Sequence, residues 1–349
     1  MNKLYIIFIL LLLLPCVLLA QYRELKVMQF NIWQEGTVVP SGFEAIVDEI
    51  IKLDADVVTF SEVRNYKNTR FNDRIVKRLK EKGHHYFSFY SEDSGILSRY
   101  PITAYSTVFP LKNDQGSIYK AHINFYGTTI TVYTAHLDYK HAANYLSRGY
   151  HSSNWEKLSA PVLDINSILK DNTASQRDEA IRLFIADAQH EIANKHIVIL
   201  GGDFNEPSHL DWTEASRHLY ERKVAVPWTL TKMLEEAGFV DTYRLKFPDA
   251  ITHPGITFPA YNKDVPYKKL LWAPDSDDRD RIDYIFYYPN KRLKLKNVYL
   301  IGPDSSIERG QIVKEDTKDP LILPKGIWPT DHRAILGVFR INSKETKRR

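Results

Sequence analysis

The sequence predicts an α/β fold in which mixed sheets carry helices on their outer faces. Three observations point to it. Runs with helical spacing alternate with short apolar runs of strand length. Two of the strands meet at a tight turn, Tyr126-Gly127, so antiparallel pairs must occur beside any crossover connections. No internal repeat, long polar tract or Pro/Gly-rich linker divides the 349 residues, which favours one domain over 21–343.

The elements follow in chain order. Leu25 to Trp33 reads as a strand. Phe43, Ile46, Val47, Ile50 and Ile51 share the spacing of one helical face over 43–53. Asp56 to Val63 is a second buried strand, and 71–82 is an amphipathic helix stopped by Gly83. Short strands follow around 94–101, then the hairpin over 117–137. Asp138 to Asn172 is a long aromatic connection with Tyr139, Tyr145, Tyr150 and Trp155. A helix over 176–194 places Ile181, Phe184, Ile185, Ala188 and Ile192 on one face. A strand over 196–204, a short helix near Asp211 and a helix over 230–236 come next. Strands over 281–288, 293–301 and 332–341 close the pattern.

Residues 4–20 form an uncharged, mostly apolar run behind Lys3. That is the pattern of a secretory signal, and slightly short of the roughly 20 apolar residues that span a bilayer. Export is therefore expected over an N-terminal anchor, with cleavage near Ala20. Pro15 fits poorly with a lipid-modified Cys16. Cys16 is the only cysteine, so a processed chain has no disulfide, thiolate nucleophile or cysteine-bound metal. The formal charge is +4; Lys3 accounts for one and the basic tail 344–349 for a net three, leaving a near-neutral body. Such a body gives no general support to nucleic-acid binding, although a local groove can still be basic.

Polar residues cluster where strands end. Asn31 follows VMQF, Glu62 follows VVTFS, His136 follows TVYTA, and Asp203 and Asn205 follow IVILGG. Asp283 sits in RIDYIFYY, and Asp331 and His332 open the last strand. One Asn or Asp at a strand end ordinarily makes a turn. Eight such groups at similar places weaken that reading. A carboxylate like Glu62 also needs a cation or donor to offset its desolvation. Residues i and i+2 of an extended chain face one way, so Asp203 and Asn205 should aim at one point. Gly201 and Gly202 would let backbone pass close to it.

FNIW, FSEV, AHLD, GGDFNEP, RIDYIF and TDH, in this order from Asn31 to His332, resemble the endonuclease/exonuclease/phosphatase superfamily of DNase I-like proteins. The resemblance implies a four-layer sandwich: two mixed β-sheets face to face with helices outside. It implies that Glu62 is the main metal ligand, helped by Asn31 and Asp331. Asp203 would orient or deprotonate the attacking water. Asn205 would donate to a phosphate oxygen, and His332, held by Asp283, would meet the phosphoryl group or its leaving oxygen. His136 resembles a second histidine of the DNase I-like branch. Oxygen ligands suit Mg²⁺ or Mn²⁺, and no His/Cys cluster shows zinc spacing.

The implied activity is metal-dependent hydrolysis of a phosphoester. The first expectation is an exported phosphodiesterase or phosphatase on a small or head-group substrate, a sugar phosphate or phospholipid head group. The near-neutral body favours it over a secreted nuclease, because phosphate-tracking grooves need Lys and Arg. A membrane surface stays open as a place of action. A binding protein on an inactive scaffold is a third reading, opposed by the filled catalytic positions. No protein partner is expected, and a monomer is the default. Substrate walls are expected from the 138–175 segment, through Tyr139, Tyr145 and Trp155, and from 207–228, through Trp212.

Overall fold

The computed structural model describes residues 22–342. The signal-like run and the tail 344–349 lie outside the described residues. Two mixed sheets form the centre. The first has seven strands in the spatial order Leu321–Ile322, Leu293–Ile301, Ala334–Asn342, Tyr22–Asn31, Val57–Val63, Asp93–Ser98 and Phe87–Ser88. The second has six: Ile102–Phe109, Gly116–Phe125, Thr128–Leu137, Ile197–Asp203, Asp283–Tyr287 and Val240–Asp241. Each sheet contains one crossover pair that is parallel near its middle: Tyr22–Asn31 with Val57–Val63, and Thr128–Leu137 with Ile197–Asp203.

Alternation along the strands sorts the side chains into layers. Val27, Val57, Val132, Ile199 and Ile285 point between the sheets into a shared apolar core. Their neighbours Met28, Phe30, Val58 and Phe60 face outward, where helices Gly42–Leu53 and Phe71–Glu81 cover them with Ile46, Ile50, Ile75 and Leu79. On the other side Tyr133, Leu200 and Phe286 meet Ile181 and Phe184 of helix Arg177–Ala193 and Leu230 and Leu234 of helix Thr229–Glu236. Mixed sheets with helices outside are what the strand and helix pattern predicts, and the four layers are those that the family resemblance implies.

The inward-facing positions change character along each strand. Val27 gives way to Gln29 and Asn31, Val57 to Thr59 and Ser61, and Ile199 to Gly201 and Asp203. Val132 gives way to Thr134 and His136, and Ile285 to Asp283. The interior is therefore dry at one end and polar at the other. The polar groups pair across the gap: Ser61 Oγ donates to Ala135 O at 3.0 Å, and Thr134 Oγ1 to Phe60 O at 3.1 Å.

Several expectations need correction. Residues 207–228 contain turns and no helix near Asp211. The last strand begins at Ala334, so Asp331 and His332 lie in the preceding turn. Gly201 and Gly202 serve packing and not the site. A Cβ at Gly201 would overlap the Thr59 hydroxyl of the facing sheet, and one at Gly202 would lie 2.6 Å from Ala135 O. Because Thr59 Oγ1 already donates to Gln29 Oε1 at 2.6 Å, it has no cheap retreat. Gly201→Ala should therefore destabilise the fold by about 1–3 kcal/mol, the range for overpacking a dense core. Unchanged denaturant midpoints would refute this account of the glycine.

Candidate active site

Strand register assembles the site. His136 is level with Asp203 across the parallel pair, and Asp203 is level with Asp283 across the antiparallel one. In the facing sheet Asn31 is level with Ser61, just before Glu62. The two polar ends are joined directly. Asn31 Nδ2 donates to Asp203 Oδ2 at 2.9 Å, and Ser61 Oγ accepts from Asp203 N at 3.2 Å.

His332 reaches the same point from its turn. Its Nδ1 bonds Asp283 Oδ2 at 2.8 Å, which aims Nε2 outward, 3.9 Å from both Asp203 Oδ2 and Asp331 Oδ1. Burial opposes charge on this ring, but Asp283, and behind it Asp203 and Asp331, outweigh burial and lift its pKa to about 10. It is an imidazolium at neutral pH, with Nε2–H as a donor. Burial, then repulsion from Asp283, pushes the Asp203 carboxyl up to about 6, with His332 and His136 offsetting part of the rise. Hydrogen bonds from Asn31 Nδ2 and Asn205 N–H favour its carboxylate form against that rise.

Asn205 joins the site by a different geometry from the expected one. The strand stops at Asp203, and Asn205 adopts a left-handed φ of 50°. Its N–H caps Asp203 Oδ1 at 2.9 Å, and its Nδ2 bonds Leu137 O at 2.9 Å beside His136 Nε2 at 3.3 Å. A turn, and not strand alternation, brings this pair together. Glu62 is placed by a bulge. Register slips between Ser61 and Val63, and Glu62 takes a φ of 70°. Such irregularities re-aim a side chain at a strand end. Here the carboxylate turns into the cavity and accepts from Gln34 N at 2.9 Å.

These groups open on one cavity of about 320 Å³. Glu62, His136, Asp203, Asn205, Asp331 and His332 line it, with Tyr139, Tyr145 and Trp155 as an aromatic wall. Asn31 and Asp283 stand behind Asp203 and His332. Trp212 does not reach the cavity. It is 1% exposed, packs on Trp228, Ala143 and Ile168, and spends its indole N–H on Asp280 Oδ1 at 2.9 Å. The 207–228 segment is thus a buttress behind the 138–175 wall, because its aromatics are large enough to form a small core of their own.

Nearby, Asp211 binds Arg244 Nε at 2.5 Å and Arg281 Nε at 2.9 Å. Burial would raise its pKa, yet Arg244 and then Arg281 hold it down at about 2, below the ordinary 3.8. The folded value is the lower one, so its stabilisation is complete above about pH 4 and is lost as pH falls through 2. It amounts to about 2 kcal/mol. The difference in unfolding free energy between wild type and Asp211→Asn should shrink between pH 5 and pH 2.5; a constant difference would contradict this.

Four contributors escaped the sequence reading. Asp93 Oδ1 holds His136 Nδ1 at 2.9 Å and Arg64 Nη1 at 2.8 Å. Burial opposes charge on His136, but Asp93 outweighs it and raises the ring to about 9. Arg64 lies two residues after Glu62, a spacing that could have flagged it. Trp272 and Asp278 line the cavity from a loop without any strand signal.

Among the described residues His122, Glu191 and His196 form one close group away from the cavity, and at the cavity itself two further donor sets compete for a metal. Asp203, Asp283 and His332 lie within 4.8 Å of one another, but hydrogen bonds already commit them. Glu62 and Asp331 both line the cavity and repel one another. Burial, then repulsion from Glu62 against the pull of His332, holds the Asp331 carboxyl up at about 7. A cation between the two would relieve that repulsion.

Fold and site together define a metal-dependent phosphoester hydrolase. Residues 28–332 match the Endonuclease/Exonuclease/phosphatase family, and the chain belongs to it. An uncharacterised Caenorhabditis elegans protein is 31% identical over 293 residues, covering 81% of this chain and 85% of that one. Among solved structures, D. rerio TDP2 complexed with a single-strand DNA product superposes with a TM-score of 0.52 at 18% identity, covering 90% of this chain and 98% of that one. Truncated C. elegans TDP2 gives 0.51 at 16% identity, with 90% and 97% covered. At these identities the likeness shows the shared fold.

Proposed function

We propose that the protein is an exported Mg²⁺- or Mn²⁺-dependent phosphodiesterase or phosphatase that acts on a small or head-group phosphoester. Glu62, Asp331 and Asn31 would hold the metal. When bound, it would neutralise charge on the phosphoryl oxygens. Asp203, ionised and fixed by Asn31 and Asn205 N–H, orients the attacking water and takes its proton. His332, charged and held by Asp283, donates from Nε2 to the phosphoryl group or its leaving oxygen. His136 and Asn205 supply further donors on the other side of Asp203. Export rests on the apolar run of 4–20.

The observation that carries the small-substrate reading is the lining of the cavity. Six carboxylates (Glu62, Asp114, Asp203, Asp278, Asp280 and Asp331) outnumber the cationic groups of the lining, Arg64, His136 and His332, and Arg64 already binds Asp93 and Asp114 while the two imidazoles are held by Asp93 and Asp283. A polynucleotide backbone needs cations along its track. A secreted nuclease is the second reading, supported by family membership alone. Both are tested by one panel with Mg²⁺ and with chelator: plasmid DNA, RNA, sphingomyelin, inositol phosphates, sugar phosphodiesters and bis(p-nitrophenyl) phosphate. Chelator-sensitive hydrolysis of small esters is expected. Plasmid nicking with no small-ester cleavage would reverse the choice.

A further inference from the structure

One part of the cavity takes no part in the chemistry above. Trp155 is its hub. The Trp155 ring centroid lies 4.5 Å from Trp272, 6.2 Å from Tyr145 and 6.4 Å from Tyr139. Tyr145 stands edge-on at 87°, while Tyr139 is nearly parallel at 5°. All four rings line the cavity, and so does Asp278.

Asp278 belongs to a run of three acids whose fates differ. Asp277 binds Arg279 Nη2 at 2.7 Å, and Asp280 binds Arg148 Nη1 at 2.7 Å. Asp278 is 5% exposed, and among the described residues it has no ion-pair partner within 4.0 Å. Tyr145 Oη donates to Asp278 Oδ2 at 3.1 Å. Burial pushes its carboxyl up to about 7, more than the attraction of Arg148 lowers it. A buried carboxylate without a cation is costly, and the site that contains it is walled by aromatic rings.

We propose that Tyr139, Tyr145, Trp155, Trp272 and Asp278 form a subsite for an alkylated ammonium group on the phosphoester substrate. The rings supply negative faces to a diffuse cation, and Asp278, whose ionised form the cation favours, supplies the counter-charge. The cation would replace the missing partner of Asp278, while the phosphoester reaches the polar groups in the same cavity. The same surroundings are unfavourable to a nucleotide, because a base could stack on Trp155 but its phosphates would meet Asp278 and Asp280. This assignment rests on the small head-group reading of the site.

The test compares two chromogenic diesters in Mg²⁺: p-nitrophenyl phosphocholine and the p-nitrophenyl ester of neohexyl phosphate, its isostere with carbon in place of the quaternary nitrogen. The expected kcat/KM ratio is about tenfold or more in favour of the cation. Asp278→Asn and Trp155→Leu should bring the ratio to within about threefold of one, and Trp155→Phe should keep most of it. Equal rates on the two esters with wild type would overturn the subsite. So would a higher kcat/KM on thymidine p-nitrophenyl phosphate than on either.

Binding separates the subsite from the reaction. Calorimetry with the wild-type protein in chelator should show binding of choline and none of neohexanol. If choline binds but no ester is hydrolysed in metal, the hydrolase reading fails and the subsite stands. If bis(p-nitrophenyl) phosphate is hydrolysed but choline does not bind, the subsite fails and the hydrolase reading stands.

Discussion

Asp203→Asn should lower kcat on bis(p-nitrophenyl) phosphate by about 10³-fold at saturating Mg²⁺, within the range for losing a positioned base. The amide keeps the shape of the side chain and can still accept from Asn205 N–H through Oδ1. It cannot take a proton from water. It also turns a donor toward Asn31 Nδ2, which now donates to Asp203 Oδ2 at 2.9 Å. That clash costs stability, while the end of repulsion between Asp203 and Asp283 returns some. The variant should therefore fold, as circular dichroism and thermal melting would show. His332→Ala should fall by about 10²–10³-fold, the cost of removing a charge-stabilising donor. A folded Asp203→Asn with a rate within tenfold of wild type would remove Asp203 from the mechanism.

Glu62→Gln should act through the metal. An amide oxygen keeps the volume but loses the charge that faces Asp331 across the site. The Mg²⁺ concentration at half-maximal activity should rise by about 10–100-fold, and raising Mg²⁺ should restore part of the rate. A second readout is independent of turnover. Mg²⁺ or Mn²⁺ should raise the melting temperature of wild type, because an ion that binds only the folded state stabilises it, and should raise that of Glu62→Gln much less. An equal thermal shift in both proteins would place the metal elsewhere. The natural alternative is the Asp203, Asp283 and His332 cluster, and Asp283→Asn would then lose the shift instead.

The strands of the sandwich were legible in the sequence because their hydrophobic periods are local. Val27, Val57, Ile199 and Ile285 occupy alternate positions in short runs, and the hairpin announces itself at Tyr126-Gly127. The polar ends of those strands were legible for the same reason. Inward positions that turn from Val or Ile to Asn, Ser, His or Asp mark where a dry core meets a site.

The details of aim were not legible. Strand alternation predicts that Asp203 and Asn205 face one way, but the chain leaves the sheet after Asp203, and the left-handed Asn205 swings back to cap it. Glu62 enters the cavity because a bulge shifts the register at that residue. Gly201 looked like part of the site, whereas it is small because Thr59 of the other sheet approaches it.

By itself, then, the sequence determined the layered fold, the family and the polar groups available for chemistry, since these follow from short-range periodicity and from residue identity. Tertiary structure alone decided which groups share a cavity. It pairs His136 with Asp93 across 43 residues and Tyr145 with Asp278 across 133, and it buries Trp212 away from both. Partners so far apart in the chain meet only when two sheets pack face to face, and no local pattern records that meeting.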